Sequence, residues 1–250
     1  MTTYFGIELR RVARDYVTMF FVAVLPAFLY VIFGATQDYA SAPAGHGNAA
    51  LYTMISMAAY GAVTATTGVG GMAAVERMQG WGRQLALTPL PDSGYVAVKA
   101  GTAFVIAAVP VVLIYALGFF TGAEGTAGAW LGSGLLVLVG AAAFSLYGLL
   151  AGLLFRTEAA VGAASGSLVV LGFLGNVFVP LSGGLLTFAQ LTPLYGYVAL
   201  ARYPLTEGVL IGPAGPGATQ ALWVPVLNLV VWAGVFAVAA LLLVRRRGRQ

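Results

Sequence analysis

The sequence predicts an all-α integral membrane protein. It should have six transmembrane helices, an interfacial helix ahead of the first, and short re-entrant or interfacial helices on the outer side between the fifth and sixth. Three observations predict this. Of 250 residues, 60% are hydrophobic and 8% charged, against roughly a quarter charged in soluble domains. Six apolar intervals, 16–36, 48–75, 95–120, 127–155, 159–179 and 222–244, each reach the ~20 residues that cross a bilayer. Six crossings put both termini on one side, where Arg10, Arg11, Arg14, Arg77, Arg83, Lys99, Arg156, Arg245, Arg246, Arg247 and Arg249 also fall, leaving only Arg202 opposite. The positive-inside rule makes that side the cytoplasm. The whole chain, 1–250, then reads as a single transmembrane domain.

The first fifteen residues carry spread charge and no small-residue cleavage site, so they are not expected to be a cleaved signal peptide. On a helical projection of 2–15, Phe5, Leu9 and Val12, followed by Tyr16, share a narrow apolar stripe, while Arg10, Arg11 and Arg14 lie opposite. Two readings fit. One is an interfacial helix with its stripe in the acyl boundary and its arginines toward anionic headgroups or a partner. The other is a simple positive-inside anchor.

The crossings are nearly silent chemically. Ion-coupled carriers place ionisable groups at mid-membrane, and that pattern is missing here. No cysteine is present, which removes disulfides and thiolate sites. The one histidine, His46, sits in a "GHG" of the first outer loop and reads as solvated rather than metal-ligating. Asp38 and Asp92 are expected on opposite faces, so no Ser-His-Asp triad can form, and no catalytic or metal site is expected. The formal charge of +4 is scattered among apolar runs and does not point to nucleic acid. Polar groups within the crossings, including Thr64, Thr67 and Asn176, either satisfy neighbouring backbone or touch cargo. "TTGVGGM" at 66–72 lacks the lysine of a phosphate-binding loop and reads as close packing. "GLLAG" at 148–152 and "GAASG" at 162–166 both fit the small-xxx-small pattern of helix contact.

Two segments stand out. Residues 76–91, "ERMQGWGRQLALTPLP", form a charged cytoplasmic stretch between the second and third crossings. Residues 180–221 hold apolar pieces broken by Gly and Pro, too short to cross, and are expected to cap the outer side. Arg202 should lie near headgroups there with Tyr195, Tyr197 and Tyr203, and "IGPAGPG" should be a turn into the last crossing.

Together these features resemble the permease subunit of an ABC-2 type transporter, and the resemblance covers essentially the whole chain. The family's cytoplasmic loop carries a Glu-Arg pair, a glycine, a leucine and a Thr-Pro-Leu ending, matched by Glu76, Arg77, Gly80, Leu85, Thr88, Pro89 and Leu90. Trp81 departs from the small polar residue usual after the glycine. The outer "VPLSGGLLTFAQLTPLYGYVALARYPL" aligns with the family's outer segment only loosely. The resemblance implies that 76–92 is a coupling loop docking on a separate ABC ATPase, with Trp81 and Leu85 as apolar anchors and Arg83 and Gln84 beside them. An ordinary cytoplasmic turn is the plain alternative for this loop. The resemblance also implies two ATPase copies, a second copy of the chain or a homologous permease, and a bacterial cytoplasmic membrane. ATP and Mg are expected on the ATPase, since this chain holds no cofactor motif and no G-x-x-x-x-G-K-[ST]. The expected activity is export of an amphiphilic or hydrophobic substrate, with Tyr197 and Arg202 in the outer cap. The alternative is a non-transporting sensor or assembly scaffold of the same fold.

Overall fold

A computed structural model describes residues 2–80, 92–155, 157–213 and 215–247. Nine helical segments among them are labelled in chain order: α1 (Thr2–Ala13), α2 (Tyr16–Ala35), α3 (Ala49–Met78), α4 (Asp92–Phe120), α5 (Ala127–Phe155), α6 (Glu158–Leu174), α7 (Gly183–Ala189), α8 (Pro193–Thr206) and α9 (Trp223–Arg247). Four are long and apolar enough to cross a membrane: α2, α5, the 94–120 stretch of α4 and the 223–245 stretch of α9. Their outward sides carry Phe104, Val112, Leu131, Leu135, Val230 and Leu241, all exposed. Such a surface suits a bilayer, and the chain is a multi-pass membrane protein.

The other two apolar intervals differ for physical reasons. α3 has the length, at 30 residues, but it is the central helix, packed against α2, α4, α5, α6 and α8. Leu51, Met54, Ile55 and Met57 are fully buried. A helix wrapped in protein can carry Thr, Tyr and Gly where a lipid-facing one needs aliphatics. α6 has 17 residues and stops at Leu174, before the expected 179. Gly175 caps it by donating to the Leu171 carbonyl, and Asn176 turns the chain with a left-handed φ of 60°.

Within α2, Pro26 has no N–H to bond the turn before it, and the backbone widens to π geometry over Phe20–Val24. α3 and α5 meet through glycine. A Cβ on Gly148 would run into the Thr67 carbonyl, one on Gly152 into the Gly71 carbonyl, and one on Gly70 into the Ser145 carbonyl. Only hydrogen fits between these backbones. Thr66 adds an interhelical bond of 2.8 Å from Oγ1 to the Ala141 carbonyl, and Thr67 one of 3.3 Å to that of Phe144.

The two ends of the bundle differ. The base carries α1 and the ends of α3 and α4 that flank 81–91. The cap carries α7, α8 and two antiparallel ladders, β1 (Pro43–Ala44) with β2 (Gly47–Asn48) and β3 (Val209–Gly212) with β4 (Gly215–Thr219). "IGPAGPG" is therefore part of a hairpin rather than a plain turn. Asn48 knots the cap: its Oδ1 accepts from Leu51 N and Glu124 N at 3.0 Å each, and its Nδ2 donates to the Gly122 carbonyl at 2.8 Å. His46 is not simply solvated. Its backbone N–H donates to the Leu205 carbonyl at 2.7 Å, and its ring lies 3.0 Å from Glu207.

Candidate functional site

Glu8 and Arg11 of α1, Glu76 in the last turn of α3 and Lys99 near the start of α4 converge at the base. Lys99 Nζ lies 2.5 Å from Glu8 Oε1 and 2.6 Å from Glu76 Oε2, while Arg11 pairs with Glu8 at 3.0 Å and also with Glu76. Glu8, Glu76 and Lys99 are buried. Glu76 sits in the last turn of its helix, the wrong end for its charge, and both Glu76 and Lys99 are buried, so mutual pairing is what makes both positions tolerable. Two acids and two bases leave the cluster neutral. The apolar stripe of α1 is also turned inward: Phe5 is half-buried beside Gly101, and Leu9 and Val12 pack on the core. Tyr16 alone of that stripe is largely exposed, as are Arg10 and Arg14.

Above this cluster a groove of about 580 Å³ runs between α2, α3 and α6. Its walls include Phe21, Thr64, Gly68, Gly162, Ser165 and Gly166. A Cβ added at Gly68, Gly162 or Gly166 would meet nothing within 4 Å. The "GAASG" expected to pack a helix thus faces open space in this chain. Glu8, Arg11, Asp15 and Glu158 line the base end, and Tyr60 and Val169 the other. Asp15 caps α2 by accepting from Thr18 N at 3.0 Å and Thr18 Oγ1 at 2.6 Å. The Thr18 hydroxyl and then its N–H hold the Asp15 carboxyl below its usual range. At the cap end Tyr60 meets Phe178 edge-on at 4.9 Å, and Phe178 meets Phe173 at 5.0 Å.

The expected site residues divide accordingly. Thr64 lines the groove, its Oγ1 donating to the Tyr60 carbonyl at 2.8 Å. Thr67 belongs to the α3–α5 seam. Tyr197 is buried in the core and donates to the Val137 carbonyl at 2.9 Å, not at an interface with headgroups. Arg202 is buried as well, at 5% exposure. The reason is local: four guanidinium contacts, to Ser56 and to the carbonyls of Asn176 and Val177, replace the water it would have found outside. Beside it is a cavity of about 30 Å³, room for water but not for cargo.

Of the loop residues, Glu76 faces inward, the backbone of Arg77 is in the last turn of α3, and Gly80 has a positive φ of 91°. Trp81, Arg83, Gln84, Leu85, Thr88 and Pro89 lie outside the described residues. The buried cluster was missed in the sequence because its members lie on three segments. The one signal was Lys99, a lone lysine inside an apolar run.

No protein-family model matches the sequence. The chain is 28% identical over 175 residues to "Putative transport permease YvfS" of Bacillus subtilis (strain 168), covering 69% of this chain and 71% of that protein. This relationship supports a transport permease role.

Proposed function

We propose that the chain is the membrane subunit of an ATP-driven ABC-2 type exporter, crossing the bacterial cytoplasmic membrane six times with both termini inside. It works with two copies of a separate ABC ATPase, which brings ATP and Mg, and with a second copy of itself or a homologous permease. Cargo is amphiphilic or hydrophobic. The observation that carries this reading is the groove: it is largely apolar, reaches Glu8 and Arg11 of the charged cluster at the base, and has α3 for one wall. Loop 76–92 joins α3 to α4, so a push on the loop is a push on that wall. The charge cluster ties α1 to the roots of the same loop, so α1 moves with it.

The test is reconstitution with a partner ABC ATPase, which the neighbouring reading frame is expected to encode. Amphiphiles should stimulate ATP hydrolysis, and Gly166→Phe, which fills the groove, should abolish the stimulation while leaving the complex assembled. Trp81→Ala and Leu85→Asp should weaken ATPase association, because a docking contact depends on its apolar anchors. Unaltered stimulation in Gly166→Phe would remove the groove from the path, and normal capture of the ATPase by both loop variants would remove 76–92 from the docking face.

A further inference from the structure

We propose that Arg202 is an outer latch. By gripping the carbonyls of Asn176 and Val177 it holds Phe178 against Tyr60, and so keeps the cap end of the groove shut. This rests on the reading of the groove as the path and adds what controls its exit.

A buried guanidinium is expensive unless its donors are met, and a carboxylate is its usual partner. Among the described residues no carboxylate pairs with Arg202. Its Nε and Nη2 donate to Ser56 Oγ of α3 at 3.0 and 2.5 Å, its Nη1 to the Asn176 carbonyl at 2.8 Å, and its Nη2 to the Val177 carbonyl at 3.1 Å. The guanidinium carbon lies 4.0 Å from the centre of the Tyr52 ring, a desolvated cation–π contact. The two carbonyls follow directly on the end of α6, where the helix dipole presents partial negative charge. One side chain of α8 therefore binds α3 and the end of α6 together.

What it holds is a tight corner. Asn176 adopts φ 60°, the left-handed turn that Asn, after glycine, takes most readily at a helix end. Its Oδ1 accepts from Leu181 N at 2.8 Å, fixing the far side of the turn. Phe178 is two residues on, buried between Tyr60 and Phe173 with its ring over Gly172. Tyr60 is the cap-end wall of the groove. Release of the two carbonyls frees the corner, and the corner carries the plug. Acceptors that are carbonyls and one hydroxyl suit a part that must let go, since a buried carboxylate would grip the cation more strongly.

The chain has no cysteine, so Thr64→Cys, one turn inside the plug, is its only thiol, and labelling of this chain reports on the groove in the full transporter with its ATPase. An impermeant thiol reagent applied to whole cells without substrate should react slowly with it, and the same reagent applied to inverted membranes should react readily. Ser56→Ala removes two of the four contacts and Phe178→Ala removes the plug. Ser56→Ala should raise labelling from outside about tenfold or more, the effect of losing a hydrogen bond to a charged group, and Phe178→Ala at least as much, with labelling from inverted membranes unchanged in both. Arg202→Gln should do the same if it folds, and Ser56→Ala decides the matter if it does not. Opening by Phe178→Ala but not by Ser56→Ala would make Arg202 a packing residue and overturn the latch. No opening by either, with labelling from inverted membranes intact, would overturn plug and latch while leaving the path. No labelling from either side would remove the path and the latch with it.

Discussion

The two faces of α3 use the same residue for opposite ends. Toward α5, Gly70 meets Ser145, Gly148 meets Thr67 and Gly152 meets Gly71 so closely that a single methyl on Gly70, Gly148 or Gly152 would strike a carbonyl. Toward α2 and α6, Gly68 faces Gly162 and Gly166 across empty space. One face is a seam that fixes the bundle, and the other leaves a wall without side chains where a volume of about 580 Å³ stays open. Glycine at a helix contact gives close approach, and glycine on a groove gives room. Sequence spacing is the same in both, and the difference lies in whether a neighbouring backbone arrives.

The largest effect that would break this comparison is expected at the anchor both faces share. Lys99→Met leaves Glu8 and Glu76 buried with only Arg11 between them, and should cost about 3–5 kcal/mol, read as loss of monodisperse protein in detergent. The double variant Lys99→Met with Glu8→Gln should recover part of it. Next comes the seam itself: Gly148→Val should destabilise by about 3 kcal/mol, the upper end for overpacking, seen as a lowered melting transition.

The alanine pair sharpens the contrast by sign. Gly148→Ala should destabilise, whereas Gly166→Ala should stabilise by about 0.5–1 kcal/mol through helix propensity, its methyl meeting nothing. If both variants melted alike, the seam and the groove would not differ as described. The smallest effect belongs to the groove mouth. Asp15→Ala should cost about 0.5 kcal/mol, the low end for a cap because the site is exposed. Since Asp15 titrates below its usual range when folded, that contribution is present above its unfolded pKa and fades as pH falls through the folded one. A wild-type and Asp15→Ala difference that grew on acidification would contradict it.

Hydropathy alone determined that this is a multi-pass helical membrane protein, because burial in lipid demands long apolar runs whatever the neighbours are. It also placed the two short cap helices, since Gly and Pro break a helix locally. Glu76, Arg202 and the glycines were decided only by tertiary structure. Glu76 reads as a loop residue and is buried because Lys99, 23 positions on, comes back to meet it. Arg202 reads as a headgroup residue and is buried because the end of α6 offers it carbonyls. A charge or a glycine carries no local mark of its partner, and the partner arrives from another helix.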